Sequence, residues 1–305
     1  KKIESQSINT CITSPPYWGL RDYDESEQLG LEETPEEFVN NLVGVFQEVK
    51  RVLRDDGTVW LNLGDSYASN QSSGDRVSKY SAKQSTNKGK LGGKQKVPHG
   101  HKSKDLIGIP WRVAFALQQD GWYLRQDIIW HKPNPMPESV KDRCTKAHEY
   151  IFLLSKSVKY YFDNEAIKED SIYAPDKTHE VEREKGYYKG KWSNPEKGSR
   201  HDGSFKAIRE KRNKRSVWTI ATKPFKGAHF ATFPPDLIKP CVLAGCPVGG
   251  TVLDPFGGSG TTALIANGHN RNAILCELNE DYIKIAKERL APNGDFFTDI
   301  EIITT

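Results

Sequence analysis

The chain has 305 residues, of which 36% are hydrophobic, 28% charged and 10% aromatic. That is too aromatic for a wholly disordered chain and long enough for one large α/β domain with insertions. No apolar run approaches the roughly 18 residues of a membrane helix, and the opening KKIESQSINT has neither an initiator Met nor the apolar core of a secretory signal, so a processed N-terminus and a cytoplasmic location are expected. The net charge of +4 hides an asymmetry: residues 70–104 carry +8 and residues 168–215 carry +5, leaving −9 on the remainder. Such basic segments either reach a polyanion or are merely solvated loops.

Ile8 to Thr13 is a β-branched run that must end at Ser14-Pro15-Pro16, because two prolines cannot continue a strand ladder. Thr34, Pro35 and Glu37 have the pattern of a helix start, with Thr34 as cap, and Phe38, Leu42, Val45, Phe46, Val49, Val52 and Leu53 continue at helical spacing to a stop at Asp56-Gly57. Thr58 to Leu63 is the next strand, giving a strand–helix–strand unit and favouring a parallel sheet. Residues 69–104 show no period and read as a long basic loop insertion.

A helix is expected from Pro110 to Gln119, strands over Tyr123–Trp130 and Glu149–Leu154, and a short edge strand over Tyr160–Asp163. Residues 166–215 form a second candidate insertion. Order resumes near Val217-Trp218. A helix starts at Pro234-Pro235 and runs to about Ala244. Thr251–Asp254 is a strand, Thr261–Asn267 a helix, Asn272–Cys276 a strand and Asn279–Leu290 a final helix.

Two strand ends carry chemistry. Asp254-Pro255-Phe256-Gly257-Gly258-Ser259-Gly260-Thr261-Thr262 is a strand end, a glycine-rich turn and a helix start, which lets a ligand approach backbone closely. Glu277, at the end of the following strand, is placed to accept from ribose hydroxyls. The turn has no Lys and is not a P-loop, and it lacks the full G-x-G-x-x-G of a dinucleotide site. Asp254 would repel a pyrophosphate but suit an ammonium group. S-adenosylmethionine, with an ammonium, a carboxylate and a ribose but no phosphate, fits this set. The plainer alternative is an ordinary glycine-rich turn.

The other strand end is Thr13-Ser14-Pro15-Pro16-Tyr17-Trp18. Ser14 supplies a hydroxyl acceptor, the prolines fix nearby carbonyls, and Tyr17 supplies a flat face. This set suits an exocyclic amine on an aromatic ring. Its lone pair is conjugated, and acceptors at both N–H bonds would push nitrogen toward tetrahedral geometry as it attacks a methyl group. The stacked tyrosine would hold a base outside the duplex. The alternative is a Pro-Pro turn with a core tyrosine.

TSPPYW, followed downstream by HFATFP (His229–Pro234), DPFGGSGTT and CELNEDY, resembles the amino-methylating DNA methyltransferases of bacteria and phages. The catalytic motif precedes the cofactor motif, as in their permuted beta group. The resemblance extends through Lys132–Ser157 and leaves out only the two basic insertions. It implies a single catalytic domain over residues 1–305. That domain would have a Rossmann-like methyltransferase fold, a mostly parallel sheet flanked by helices, with the segments 70–104 and 166–215 inserted for DNA recognition.

The resemblance also assigns roles. Ser14, Pro15, Pro16 and Tyr17 would be catalytic. Asp254 to Thr262 would surround the methionine part of S-adenosylmethionine, with Glu277, Leu278 and Asn279 at the ribose side and His229, Thr232, Phe233 and Pro234 closing the pocket. The product would be S-adenosylhomocysteine. The family's Gly-Asp element, which contacts adenine, would lie before the first strand and is not seen in this sequence. Ser at the first motif position associates mostly with N4 of cytosine; Asp or Asn there associates with N6 of adenine, which stays the alternative. Methylation of RNA or protein and an inactive DNA-binding protein are the remaining rivals.

Duplex DNA is the implied partner, with Trp18, Arg21, Lys88, Lys90, Lys94, Lys96, Lys189, Lys191 and Arg212 as candidate contacts. The Trp18–Tyr23 stretch either shapes the base pocket, touches DNA or simply packs, and Trp192 and Tyr187-Tyr188 either wedge or stack on DNA or anchor a small satellite core. A cognate restriction endonuclease and a homodimer are open. Direct displacement needs no cysteine nucleophile, and the five cysteines fit neither a disulfide framework nor a zinc site. Cys144 and His148, four apart, have the spacing of a helical metal pair, but no second pair accompanies them, so no metal is expected. Asp65 is read as either a substrate ligand or a helix cap.

Overall fold

A computed structural model describes residues 3–20, 23, 25, 27–68, 97–171, 211–223 and 233–291. The chain divides into two compact units: residues 1–163 with 215–305, and residues 164–214. The strands of the larger unit are β1 (Ile8–Thr13), β2 (Leu53–Leu63), β3 (Tyr123–His131), β4 (His148–Ser155), β7 (Val217–Thr219), β8 (Thr251–Asp254) and β9 (Asn272–Leu275). They form one seven-stranded sheet in the order β7-β3-β4-β2-β1-β8-β9. β4 runs antiparallel to both neighbours, β2 and β3. The pairings β1–β2, β1–β8, β3–β7 and β8–β9 are parallel. The ends of β1, β2, β3, β8 and β9 therefore share one edge of the sheet with the start of β4.

Among the described residues, five helices accompany it: α1 (Pro35–Val52), α2 (Ile109–Gln119), α3 (Pro235–Gly245), α4 (Thr261–Asn267) and α5 (Glu280–Leu290). α1 begins as its sequence dictates. Thr34 Oγ1 accepts from Glu37 N at 3.2 Å, and Glu37 Oε2 accepts from Thr34 N at 3.3 Å, which satisfies two of the helix's orphan donors reciprocally. Its Phe38, Leu42, Phe46 and Val49 join Val113, Ala114 and Leu117 of α2 in a core with Cys11, Val59, Leu61 and Leu63. The alternate strand residues Thr10, Ile12, Thr58 and Trp60 point to the opposite face and are buried as well. Gly245 of α3 lies against them: a Cβ there would stand 2.6 Å from Trp60 Nε1 and 2.9 Å from Thr10 Oγ1. The helix reaches the sheet this closely because the residue has no side chain.

Three expectations are corrected. α1 stops at Val52, and β2 begins at Leu53, five residues before the strand read from the sequence. Leu53 pairs with Ile8, and the register then slips so that Thr10 faces Thr58; the polar Arg54–Asp56 stretch is carried as an irregularity in the ladder. Tyr160–Asp163 forms no strand. Instead Tyr161 N donates to Asp56 O and Asp163 N to Ala244 O, each at 2.9 Å, while Phe162 stacks on Trp60 at 6.1 Å. Cys144 is exposed in a loop and His148 opens β4, so the two do not share a helix.

In the smaller unit a 3-10 turn (Glu165–Ile167) precedes β5 (Glu169–Asp170), which pairs antiparallel with β6 (Lys211–Arg212).

Candidate active site

The catalytic-edge geometry starts from Asp254, the last residue of β8. It is 1% exposed. Oδ1 accepts from Thr13 Oγ1 at 2.6 Å and Phe256 N at 3.1 Å, and Oδ2 accepts from Thr262 Oγ1 at 2.7 Å. Burial pushes its pKa up to about 6, even though all three donors favour the charged form. The carboxylate thus ties together the end of β1, the glycine-rich turn and the start of α4.

The turn itself is shaped by glycines. Gly260 has φ +75°, and a Cβ on Gly257 would lie 2.9 Å from Leu275 Cβ. Gly257 N donates to Cys276 O at 2.8 Å, which fastens the turn to the end of β9. Glu277 is held just beyond: Gly258 N donates to its Oε2 at 2.7 Å and Asn279 N to its Oε1 at 2.9 Å. Each oxygen keeps a further lone pair. Asn279 caps α5, accepting from Asp281 N and Tyr282 N, and Leu278 is 61% exposed.

Ser259, Thr261 and Thr262 complete the turn and open α4. Their side chains are buried and engaged within the protein. Arg289 Nη1 of α5 donates to Ser259 Oγ at 3.0 Å and to Thr261 Oγ1 at 2.8 Å, and Thr262 serves Asp254. What these positions offer a ligand is backbone. Pro255, Phe256 and Gly258 are half-buried on the turn.

The Ser-Pro-Pro-Tyr turn follows β1, the neighbour of β8. Tyr17 is fixed in it by contacts on two sides. Its ring lies against Gly64, where a Cβ would come within 2.5 Å of Tyr17 Cε2. Its hydroxyl donates to Glu149 Oε2 at 2.8 Å and lies 3.3 Å from Asn62 Oδ1, and Ser14 Oγ donates to Tyr17 Oη at 3.5 Å. Lys132 pairs with Glu149 Oε1 and stands over the Trp130 ring at 4.3 Å. Burial and the neighbouring Glu149 charge hold the Tyr17 phenol well above its ordinary pKa. Asn62, Lys132 and Glu149 were not singled out from the sequence. A charged residue opening the apolar strand Tyr150–Leu154 was the available signal for Glu149.

The remaining candidates stand in varied settings, Asp65 in the second of its two expected roles. Trp18, expected at DNA, is 3% exposed. Its indole N–H donates to Glu32 O at 3.0 Å, and its rings belong to the α1–α2 core. Asp65 is a cap: Oδ1 accepts from Gly108 N and Ile109 N at 3.0 Å, at the start of α2. Arg212, in the smaller unit, pairs through Nε with Glu169 Oε1 at 2.9 Å. Pro234 is buried at the start of α3 and Phe233 is half-buried. Arg21, Lys88, Lys90, Lys94, Lys96, Lys189, Lys191, His229 and Thr232 lie outside the described residues, as do Tyr187, Tyr188 and Trp192. Among the described residues, no group of three His, Cys, Asp or Glu could hold a metal ion, and no helix is long and apolar enough to cross a membrane.

Comparison with known proteins decides the family. A family model described as DNA methylase, for N6 and N4 methyltransferases, matches residues 8–288. The chain belongs to that family. It is 47% identical over 291 residues to the type II methyltransferase M.Cfr9I of Citrobacter freundii, covering 95% of this chain and 83% of that protein. It is also 47% identical to M.SmaI of Serratia marcescens, over 94% of this chain and 86% of the relative. Among solved structures, PvuII DNA methyltransferase (cytosine-N4-specific) aligns with a TM-score of 0.60 at 18% identity, covering 98% of this chain and 83% of that one. A DNA modification methylase from Thermus thermophilus, complexed with S-adenosyl-L-methionine, aligns with a TM-score of 0.56 at 24% identity, covering 95% and 88%. The protein is a type II DNA methyltransferase of the N6/N4 family with a Rossmann-like fold.

Proposed function

We propose that this DNA methyltransferase transfers a methyl group from S-adenosylmethionine to the exocyclic N4 amine of cytosine in duplex DNA, after the base is turned out of the helix. The observation that carries the reading is the bond between Thr13 and Asp254. It sets the Ser-Pro-Pro-Tyr turn beside the glycine-rich turn on one sheet edge, so an amine held by the first lies next to a donor held by the second.

The residues present fit S-adenosylmethionine. Glu277 is anchored by two backbone N–H groups and retains lone pairs for ribose hydroxyls. The glycines leave backbone open to close approach, and Leu278 exposes an apolar face beside the acid. Asp254, buried and fully engaged within the protein, favours an ammonium group through its negative charge without touching it. When bound, S-adenosylmethionine supplies the electrophilic methyl. The chain's own residues then orient the amine: the Ser14 hydroxyl and a proline carbonyl accept its N–H bonds and stabilise charge developing on nitrogen, and the Tyr17 ring supports the base plane.

Ser14 at the first motif position carries the choice of cytosine. The basic segments 70–104 and 166–215 supply phosphate contacts in this reading, with a bacterial, archaeal or phage cytoplasm as the setting. A cognate endonuclease and a homodimer accompany it as proposals. Incubation with mixed-sequence DNA and S-adenosylmethionine, followed by digestion and mass spectrometry of nucleosides, tests it. N4-methylcytosine supports the assignment. N6-methyladenine keeps the chemistry and overturns the base. Methylated RNA or protein with unmodified DNA overturns the substrate.

A further inference from the structure

Glu149 lies in the Lys132–Ser157 stretch, to which the sequence assigned no role, and it is the end of a directed chain of hydroxyl donors. Ser14 Oγ donates to Tyr17 Oη at 3.5 Å, and Tyr17 Oη donates to Glu149 Oε2 at 2.8 Å. The glutamate is placed by topology. β4 is antiparallel to β2 and β3, so its first residues come back to the edge where β1 ends, with Glu149 opposite Trp130 and Tyr150 opposite Leu63. Lys132 engages the other oxygen, Oε1, while Asn62 Nδ2 approaches Oε2 at 3.3 Å and is itself fixed to Tyr150 O at 3.0 Å. The Glu149 side chain is 15% exposed, enough to reach solvent at its rim.

Amine methylation has a proton to dispose of. The nitrogen forms its N–CH3 bond at the expense of the donor's S–CH3 bond and is left as an ammonium with one proton too many. Such a conjugated ammonium is a strong acid, and its proton needs an acceptor within hydrogen-bond reach. Building on the proposed amine chemistry, we propose that Ser14, Tyr17 and Glu149 form the exit route for that proton. Ser14 Oγ takes the amine proton as its own proton passes to Tyr17 Oη, and the proton of Tyr17 passes to Glu149 Oε2. The amine ends neutral and methylated, the donor ends as a thioether, both hydroxyls are restored, and Glu149 ends as a carboxylic acid that releases its proton to solvent.

Two features support the route. Tyr17 is held neutral by burial and by the charge of Glu149, so its hydroxyl can accept and donate in one step. Lys132 occupies only Oε1, which leaves Oε2 turned to the tyrosine. Glu149 acts through Tyr17 and Ser14 and is a positioning residue, without contact to the substrate.

The test is single-turnover methyl transfer with cofactor saturating and DNA pre-bound. Glu149→Gln keeps shape and an acceptor oxygen but removes the proton sink; Tyr17→Phe keeps the ring but breaks the chain. Each is expected to slow transfer about 10- to 100-fold, while cofactor and DNA dissociation constants stay within about twofold. Because both act on one route, the double variant is expected to be no slower than the slower single variant. Added formate is expected to restore part of the rate of Glu149→Ala and none of the rate of Tyr17→Phe. Wild-type speed in Glu149→Gln overturns the relay, and so do additive losses in the double variant or a rate loss matched by weakened binding. If the wild-type protein itself yields no methylated amine in DNA, the underlying chemical reading fails instead, and the two failures are told apart by that control.

Discussion

Thr13 Oγ1 donates to Asp254 Oδ1 at 2.6 Å, so the strand ending in the Ser-Pro-Pro-Tyr turn is bonded, side chain to side chain, to the strand ending in the glycine-rich turn. The two residues are 241 positions apart in the chain and adjacent in the sheet. Replacing Thr13 with Val keeps the shape and removes this donor. A buried carboxylate then loses one of its three partners, which costs about 1–3 kcal/mol. Thr13→Val is therefore expected to lower the melting temperature and to weaken cofactor binding several-fold in calorimetry. Unchanged values of both would show that the link between the turns is incidental.

Asp254 makes stability depend on pH in an unusual direction. Its carboxyl titrates near 6 in the folded chain and near 3.9 in an unfolded one. The folded state binds the proton more tightly, so this group's contribution is greatest below about pH 4 and is lost as pH rises through 6. The difference corresponds to about 3 kcal/mol. Asp254→Asn removes the titration and can keep the hydrogen bonds, since the Thr262 hydroxyl can rotate to accept. In urea denaturation, the stability of Asp254→Asn relative to the wild type is expected to rise between pH 4 and pH 7. Parallel pH curves for the two proteins would refute this account. At pH 7 the same variant is expected to bind the ammonium-bearing cofactor more weakly.

Gly64 sets the depth at which Tyr17 sits. A Cβ on Gly64 would fall 2.5 Å from the tyrosine ring and within 3.2 Å of Cζ. Gly64→Ala must push the ring outward, and the half-buried turn has room for this without unfolding the sheet. The expected result is a melting temperature within a few degrees of wild type and a methylation rate reduced at least tenfold, as misplacing a reacting group by about 1 Å costs up to 100-fold. Measuring both on the same preparation separates a positional loss from a folding defect.

Much of this architecture was legible locally. Thr34, Pro35 and Glu37 announce α1 because a capping box uses only neighbours in sequence, and the structure forms it. The glycine-rich turn was legible for the same reason. The direction of β4 was not, because a strand's residues do not encode which way its neighbours run. That direction alone brings Glu149 to Tyr17. The hold of Arg289 on Ser259 and Thr261 was not legible, because Arg289 lies 28–30 residues further on in α5. The start of β2 at Leu53 was hidden by the polar Arg54–Gly57 stretch, which resembles a helix stop and is in fact a ladder irregularity.

Trp18 left two readings open, a contact to the base or DNA and simple packing, and the structure takes the second. It follows the catalytic turn, where an exposed aromatic would stack on DNA, yet it is 3% exposed and packs with the residues of α1 and α2. Its role should be to anchor the turn from below. Truncation to Ala empties a large buried volume and is expected to cost about 3–5 kcal/mol. Trp18→Phe keeps an aromatic ring but removes the N–H that bonds Glu32 O, and should cost less. If Trp18 is an anchor, Trp18→Phe lowers the melting temperature while its dissociation constant for duplex DNA, at fixed salt, stays within about twofold of wild type. A stable Trp18→Phe protein with weakened DNA binding would place the indole at the DNA after all, and would require the turn to open when DNA binds.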